Sequence, residues 1–211
     1  MNRNTIFMYI AVSLVMLVPV PGRLYYGMPV IFVLNLLMVL TTLFSKLMDY
    51  FKFYTLKPIC ILLFLVGITI FARQLLILYS PVTALTMGLL FYMPTVAVLM
   101  LGRFFDNRGM SLKIALVGNM KESGFFSIYA FVFFLLRDIV GYGTISFPVP
   151  SGIFKLELPT LSYFSPFTFW ASIPGALVLS GLLLASLSFI RKYCGILERS
   201  EELRQEGEND N

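Results

Sequence analysis

Long apolar runs, each closed by a proline, a glycine or a charged residue, follow one another along the chain and leave little that reads as water-facing surface. Six stand out, at roughly Ile6 to Val20, Met28 to Phe44, Pro58 to Tyr79, Val82 to Leu101, Phe125 to Val140 and Phe167 to Ile190. Runs near 20 residues match the length at which an α-helix crosses hydrocarbon, and they are too long and too uniform for half-buried strands. The pattern predicts an all-α polytopic membrane protein with six transmembrane helices. Several runs are shorter than an untilted span requires, so interrupted helices, reentrant segments or local bilayer thinning belong to the expectation. The first run starts close to Met1, but Pro19-Val20-Pro21-Gly22-Arg23 lacks the small-residue pattern of a signal-peptide cleavage site, and it is read as a helix.

Composition removes the soluble alternatives. Of 211 residues, 58% are hydrophobic and 13% charged, far from the balance of a water-facing surface. The net charge of +5 forms no basic stripe of the kind that binds nucleic acid, because the cations flank apolar runs. Their distribution sets an orientation. The N-terminus, the second and fourth loops and the C-terminal tail together carry Arg3, Lys46, Lys52, Lys57, Arg103, Arg108, Lys113, Lys121, Arg191, Lys192, Arg199 and Arg204. The other side receives chiefly Arg23 and Lys155, so both termini are expected in the cytoplasm. Cys60 and Cys194 are far apart in a chain without histidine and give neither a zinc pattern nor a disulfide framework.

Residues 1–190 read as a single membrane domain with approximate halves 1–79 and 80–190, followed by a charged cytoplasmic tail, 191–211. Three spans before Tyr79-Ser80-Pro81 and three after it suggest two inverted three-helix repeats, because an odd number of spans reverses the second half in the bilayer. Pro19 and Pro94 mark an interruption in the first span of each half. The segment Gly102 to Gly124 is too apolar for a linker and too charged for a span, which suggests an interfacial helix or a reentrant piece. Gly141 to Pro166, rich in Pro, Gly, Ser and aromatic residues, suggests an ordered external cap.

Arg73 lies within or close to the outer part of the third span, where it either snorkels to the interface or pairs with a buried partner such as Asp138. Arg137 and Asp138 are neighbours on one helix, so they point in different directions and need not pair with each other. Together with Arg103 they are candidates for an ion path or a subunit interface. Gly102, Gly141 and Gly143 are candidate helix-end turns, and Gly141-Tyr142-Gly143-Thr144 fits neither a dinucleotide fingerprint nor a phosphate loop. Asp106, Asn107 and Arg108 are either a solvated loop or a partner contact. The methionines, among them Met28, Met38, Met87, Met93 and Met100, have no His or Cys at useful spacing and read as packing.

Two stretches carry a likeness: Tyr79-Ser80-Pro81 through Met93-Pro94 to Leu101-Gly102-Arg103, and Leu136-Arg137-Asp138-Ile139-Val140-Gly141-Tyr142-Gly143-Thr144. In order and spacing they resemble the Rnf/Nqr membrane-subunit family, which comprises subunits A and E of the Rnf electron transport complex and subunits D and E of the sodium-pumping NADH:quinone reductase. The resemblance extends over nearly the whole chain in length, span number and loop order, and the family usually has glutamate where this chain has Asp138. It implies a bacterial inner-membrane subunit, most like the Rnf E or Nqr D form, in a complex coupling electron transfer to sodium or proton translocation. It also implies an oppositely oriented homologous partner subunit, with flavins and iron-sulfur clusters on partners. Family members supply cluster cysteines from interrupted helices, at positions that match Val18 before Pro19 and Val98 before Leu101-Gly102-Arg103. Valine offers no donor atom, so the resemblance implies a scaffold or ion-path component that binds no cofactor alone. A small inverted-repeat transporter and a membrane assembly factor are the competing readings.

Overall fold

The computed structural model describes residues 3–102, 104, 111–149, 152–157, 168–186 and 188–189. Helix α1 (Arg3–Val12) runs into a π-helical stretch, Ser13–Leu17, and the chain then breaks before α2 (Leu24–Tyr50). Pro19 and Pro21 cause that break, since neither has the amide hydrogen that continues a helix. A short turn, with Lys52 in the left-handed region at φ 60, leads into α3 (Lys57–Tyr79). Hydrogen bonds from Lys57 to Asp49 at one end and between Tyr25 and Ser80 at the other make α2 and α3 an antiparallel pair.

After Ser80 comes a 21-residue interrupted rod: α4 (Pro81–Met87), a 3-10 stretch (Gly88–Tyr92) and α5 (Met93–Leu101). Gly88 makes the interruption possible, because its φ of 46 and ψ of −120 suit a residue without a Cβ. Pro94 sits in the first turn of α5, where its missing amide hydrogen costs no bond. Helix α6 (Leu112–Tyr142) is 31 residues long, starts with the Ser111 hydroxyl accepting from the Ile114 amide, and ends at Gly143 in the left-handed conformation. An antiparallel hairpin follows, β1 (Thr144–Val149) against β2 (Gly152–Glu157), and then α7 (Thr168–Ala171) and α8 (Ile173–Ser186).

The described residues are mostly helical, and among them four segments are long and apolar enough to cross a membrane: Leu24–Tyr50, Lys57–Tyr79, Pro81–Leu101 and Leu112–Tyr142. The stretches Met8–Leu17 and Ile173–Ser186 are apolar but shorter. Two expectations are corrected. Residues 112–124, in the segment between the fourth and fifth runs, form neither a separate interfacial helix nor a reentrant piece, because they are the first turns of α6. Ala115, Asn119, Ser123, Phe126 and Ala130 form one buried stripe there, while Lys113 and Lys121 stay exposed. The expected external cap contains a β-hairpin, so the fold is not purely helical.

Helices α2 and α6 form the spine. Polar contacts join Leu24 to Asp138, Asn35 to Ser127 and Thr42 to Asn119, which fixes an antiparallel register over about 27 Å. Lipid gives helices no hydrophobic reason to associate, so close packing and interhelical hydrogen bonds hold them together. Gly27 supplies the close approach, because a Cβ there would run into the Phe134 ring.

Candidate functional site

At the end of α6 two adjacent charges serve the two sides of the break between α1 and α2. Arg137 is 1% exposed and Asp138 is fully buried. The Arg137 guanidinium donates to the carbonyl of Val20 at 2.6 Å and reaches those of Leu17 and Val18 at 3.4 and 3.5 Å. It also donates to the carbonyls of Trp170, Ala171 and Ser172 at 3.3, 2.9 and 3.4 Å. Prolines explain why two of these acceptors are vacant, whereas the Ser172 carbonyl is shared with the Ala176 amide. The Leu17 carbonyl would bond the amide of residue 21 and the Trp170 carbonyl that of residue 174, but Pro21 and Pro174 have none. A planar five-donor group can fill several such vacancies at once, and its charge suits a helix C-terminus. Gly22 leaves it room, since a Cβ there would lie 2.8 Å from the guanidinium Nε.

Asp138 projects about a third of a turn further round and caps the other side of the break. Its carboxylate accepts from the Leu24 amide at 3.2 Å, the Ser146 amide at 2.8 Å, the Ser146 hydroxyl at 2.6 Å and the Thr144 hydroxyl at 3.2 Å. The Ser146 hydroxyl also accepts from the Tyr25 amide at 3.2 Å. Arg23, the residue at the α2 N-cap, makes no side-chain cap, so α6 and the hairpin satisfy the first amides of α2 from outside, with negative charge at a helix N-terminus.

Of the other candidates, Pro19 and Gly141 lie beside the clamp, and the rest are scattered. Arg73 is half-buried on α3, with Nε shielded and unpartnered, and makes no ion pair among the described residues. The suggested Arg73–Asp138 pair does not form, because the Asp138 carboxylate is taken up by α2 and the hairpin. Pro19 lies in the first break and Pro94 just after the second. Gly102 caps α5 and Gly143 caps α6, whereas Gly141 lies within the last turn of α6. There its role is close packing, since a Cβ would come within 3.0 Å of Ala171. Arg103, Asp106, Asn107, Arg108, Cys194 and the tail 191–211 lie outside the described residues.

Sequence reasoning missed a polar seam between α2 and α6. Asn35 donates to the Ser127 hydroxyl at 2.7 Å and accepts from that of Ser123 at 3.0 Å, and Asn119 donates to the Thr42 hydroxyl at 3.0 Å. Tyr9 on α1 donates to Glu122 at 3.1 Å, and Thr69 on α3 bonds Thr95 on α5 at 2.8 Å. The signal was present in part: Asn119, Ser123 and Ser127 recur every four residues, and Asn35 and Thr42 are two turns apart. Gly88, which breaks the third long segment, was missed as well.

Val18 and Val98 are both buried in one apolar cluster, Val18 at the end of the π-helical stretch and Val98 on α5, which packs against that stretch. Neither has a donor atom, and no three His, Cys, Asp or Glu side chains gather among the described residues. These residues do not fit an iron-sulfur ligand set. What the fold defines is a helical protein with four segments able to cross a membrane, consistent with a multi-pass membrane protein, held at one end by a buried arginine-aspartate clamp. Neither a family model, nor a curated protein, nor a solved structure matches this chain.

Proposed function

We propose that the chain is an integral membrane subunit of an Rnf/Nqr-type electron transport complex, one that couples electron transfer to sodium or proton translocation, and that it acts chiefly as a scaffold. The supporting observation is the burial of Val18 and Val98, the positions matching the cluster cysteines, in one core where two interrupted segments pack together. In this reading α1 and α8 complete six spans, and each half opens on an interrupted rod, as expected of inverted repeats. Flavins and clusters belong to partner subunits, among them an oppositely oriented homologue. The protein sits in a bacterial inner membrane with both termini in the cytoplasm.

The scaffold role is favoured over an ion path by the clamp itself. Arg137 and Asp138 spend their hydrogen bonds on backbone groups and hydroxyls, which holds the break between α1 and α2 rather than offering a site to a passing ion. Arg73, with its unpartnered nitrogen, is the candidate subunit contact.

Gentle detergent purification of the tagged native protein, with partner identification and with metal and flavin analysis of the same fraction, tests this reading. Several flavin-bearing membrane subunits should copurify, and Arg73→Ala should lower their recovery before it alters electron transfer. A homogeneous protein free of partners and cofactors would overturn the proposal in favour of an independent transporter or an assembly factor.

A further inference from the structure

A cavity of about 720 Å³ opens between α2, α3 and α4. Its walls are apolar along α2 from Met28 through Phe32 to Leu36 and along α3 from Ala72 to Leu78. Polar groups gather at one end only, where the hydroxyls of Tyr25, Ser80 and Thr83 meet: Tyr25 with Ser80 at 3.0 Å, Ser80 with Thr83 at 2.6 Å, and Tyr25 with Thr83. We propose that this cavity holds the acyl chains of a single glycerophospholipid, from the leaflet at the Tyr25 end of α2, with the glycerol-ester region against the three hydroxyls.

Three features point to that occupant. From Tyr25 to Leu36 the α2 wall extends about 16 Å, close to half of the roughly 30 Å hydrocarbon thickness. A groove one leaflet deep, polar at the interface end and apolar towards the midplane, repeats the polarity profile of a lipid. Volume is the second feature, since about 720 Å³ lies within the range of pockets that hold a small-molecule ligand. Third, it opens sideways: Phe32, Leu75, Leu78 and Tyr79 on its rim are exposed, so a lipid enters from the bilayer. The hydroxyls retain acceptor lone pairs and can redirect their protons, so they can meet both ester carbonyls and head-group donors.

The inference rests on the membrane reading of the long helices and not on the proposed complex. Its test uses the full chain with whatever partners copurify, reconstituted in nanodiscs doped with a phospholipid that carries a photoreactive diazirine in its acyl chain. Adducts should concentrate on peptides covering 28–36 and 72–79, above the exposed apolar positions Leu62, Leu63 and Ile128. Ala72→Trp, which fills the cavity, should remove that excess. Thr83→Val, a near-isosteric loss of one hydroxyl, should reduce it about threefold to tenfold, the worth of one net hydrogen bond. Labelling at Leu62 and Ile128 equal to that in the cavity would overturn the proposal, and so would cross-linking of the cavity peptides to another polypeptide. A chain that purifies without partners but shows the lipid excess would sink the complex and leave the lipid site standing.

Discussion

A proline that ends a helix also strands the carbonyl four residues before it, and Pro21 and Pro174 do this at two places far apart in sequence that Arg137 brings together. Arg137→Met should leave those carbonyls buried and unpaired, at about 1–3 kcal/mol for each group that finds no new partner. Arg137→Lys should fall between Met and the native protein, because an ammonium keeps the charge but brings three donors where the guanidinium has five. Thermal unfolding of the purified variants in one detergent reads the order, and a Met variant as stable as the native protein would remove the clamp from the account. The importance of Arg137 and Asp138 was legible in the sequence, since buried charges in an apolar run demand partners. Their partners were not, because backbone amides and carbonyls carry no mark in a sequence. That is why the sequence suggests Arg73 as a partner for Asp138, whereas the groups that donate to its carboxylate belong to Leu24 and Ser146.

Among the helices, the long apolar runs predicted α3 almost to the residue, as Pro58 to Tyr79 against Lys57–Tyr79. They misjudged α6 by more than three turns at its start. The difference is burial against protein rather than lipid: a helix that leaves the bilayer beside α2 can carry Lys113, Lys121 and Glu122 among its apolar residues and still be continuous. Hydropathy alone registers lipid contact and cannot see that second kind of support. Where α2 and α6 come closest, Gly27→Ala should force Phe134 to move and cost about 1–3 kcal/mol by overpacking. Adding Phe134→Leu should recover part of the loss. Chemical or thermal unfolding of the two variants separates this from a helix-propensity effect, which would make Gly27→Ala stabilising and leave the second substitution harmful.

For the whole molecule the decisive geometry is that the α2–α3 turn and the hairpin after α6 lie at opposite ends of the spine. The Ser146 hydroxyl meets the Tyr25 amide at the start of α2, and Lys52 follows the end of that helix, about 40 Å away. The spread of positive charge predicts the Lys52 end in the cytoplasm and the hairpin outside. In a background with Cys60→Ser and Cys194→Ser, a membrane-impermeant maleimide applied to intact cells should label Leu156→Cys, which is exposed on β2. Lys52→Cys, also exposed, should label only after the membrane is permeabilised. The reverse pattern would invert the orientation and leave the fold intact. Labelling of both from one side would mean that α2 does not cross the bilayer, and with it the membrane depth assigned to the clamp and to the lipid cavity would fall.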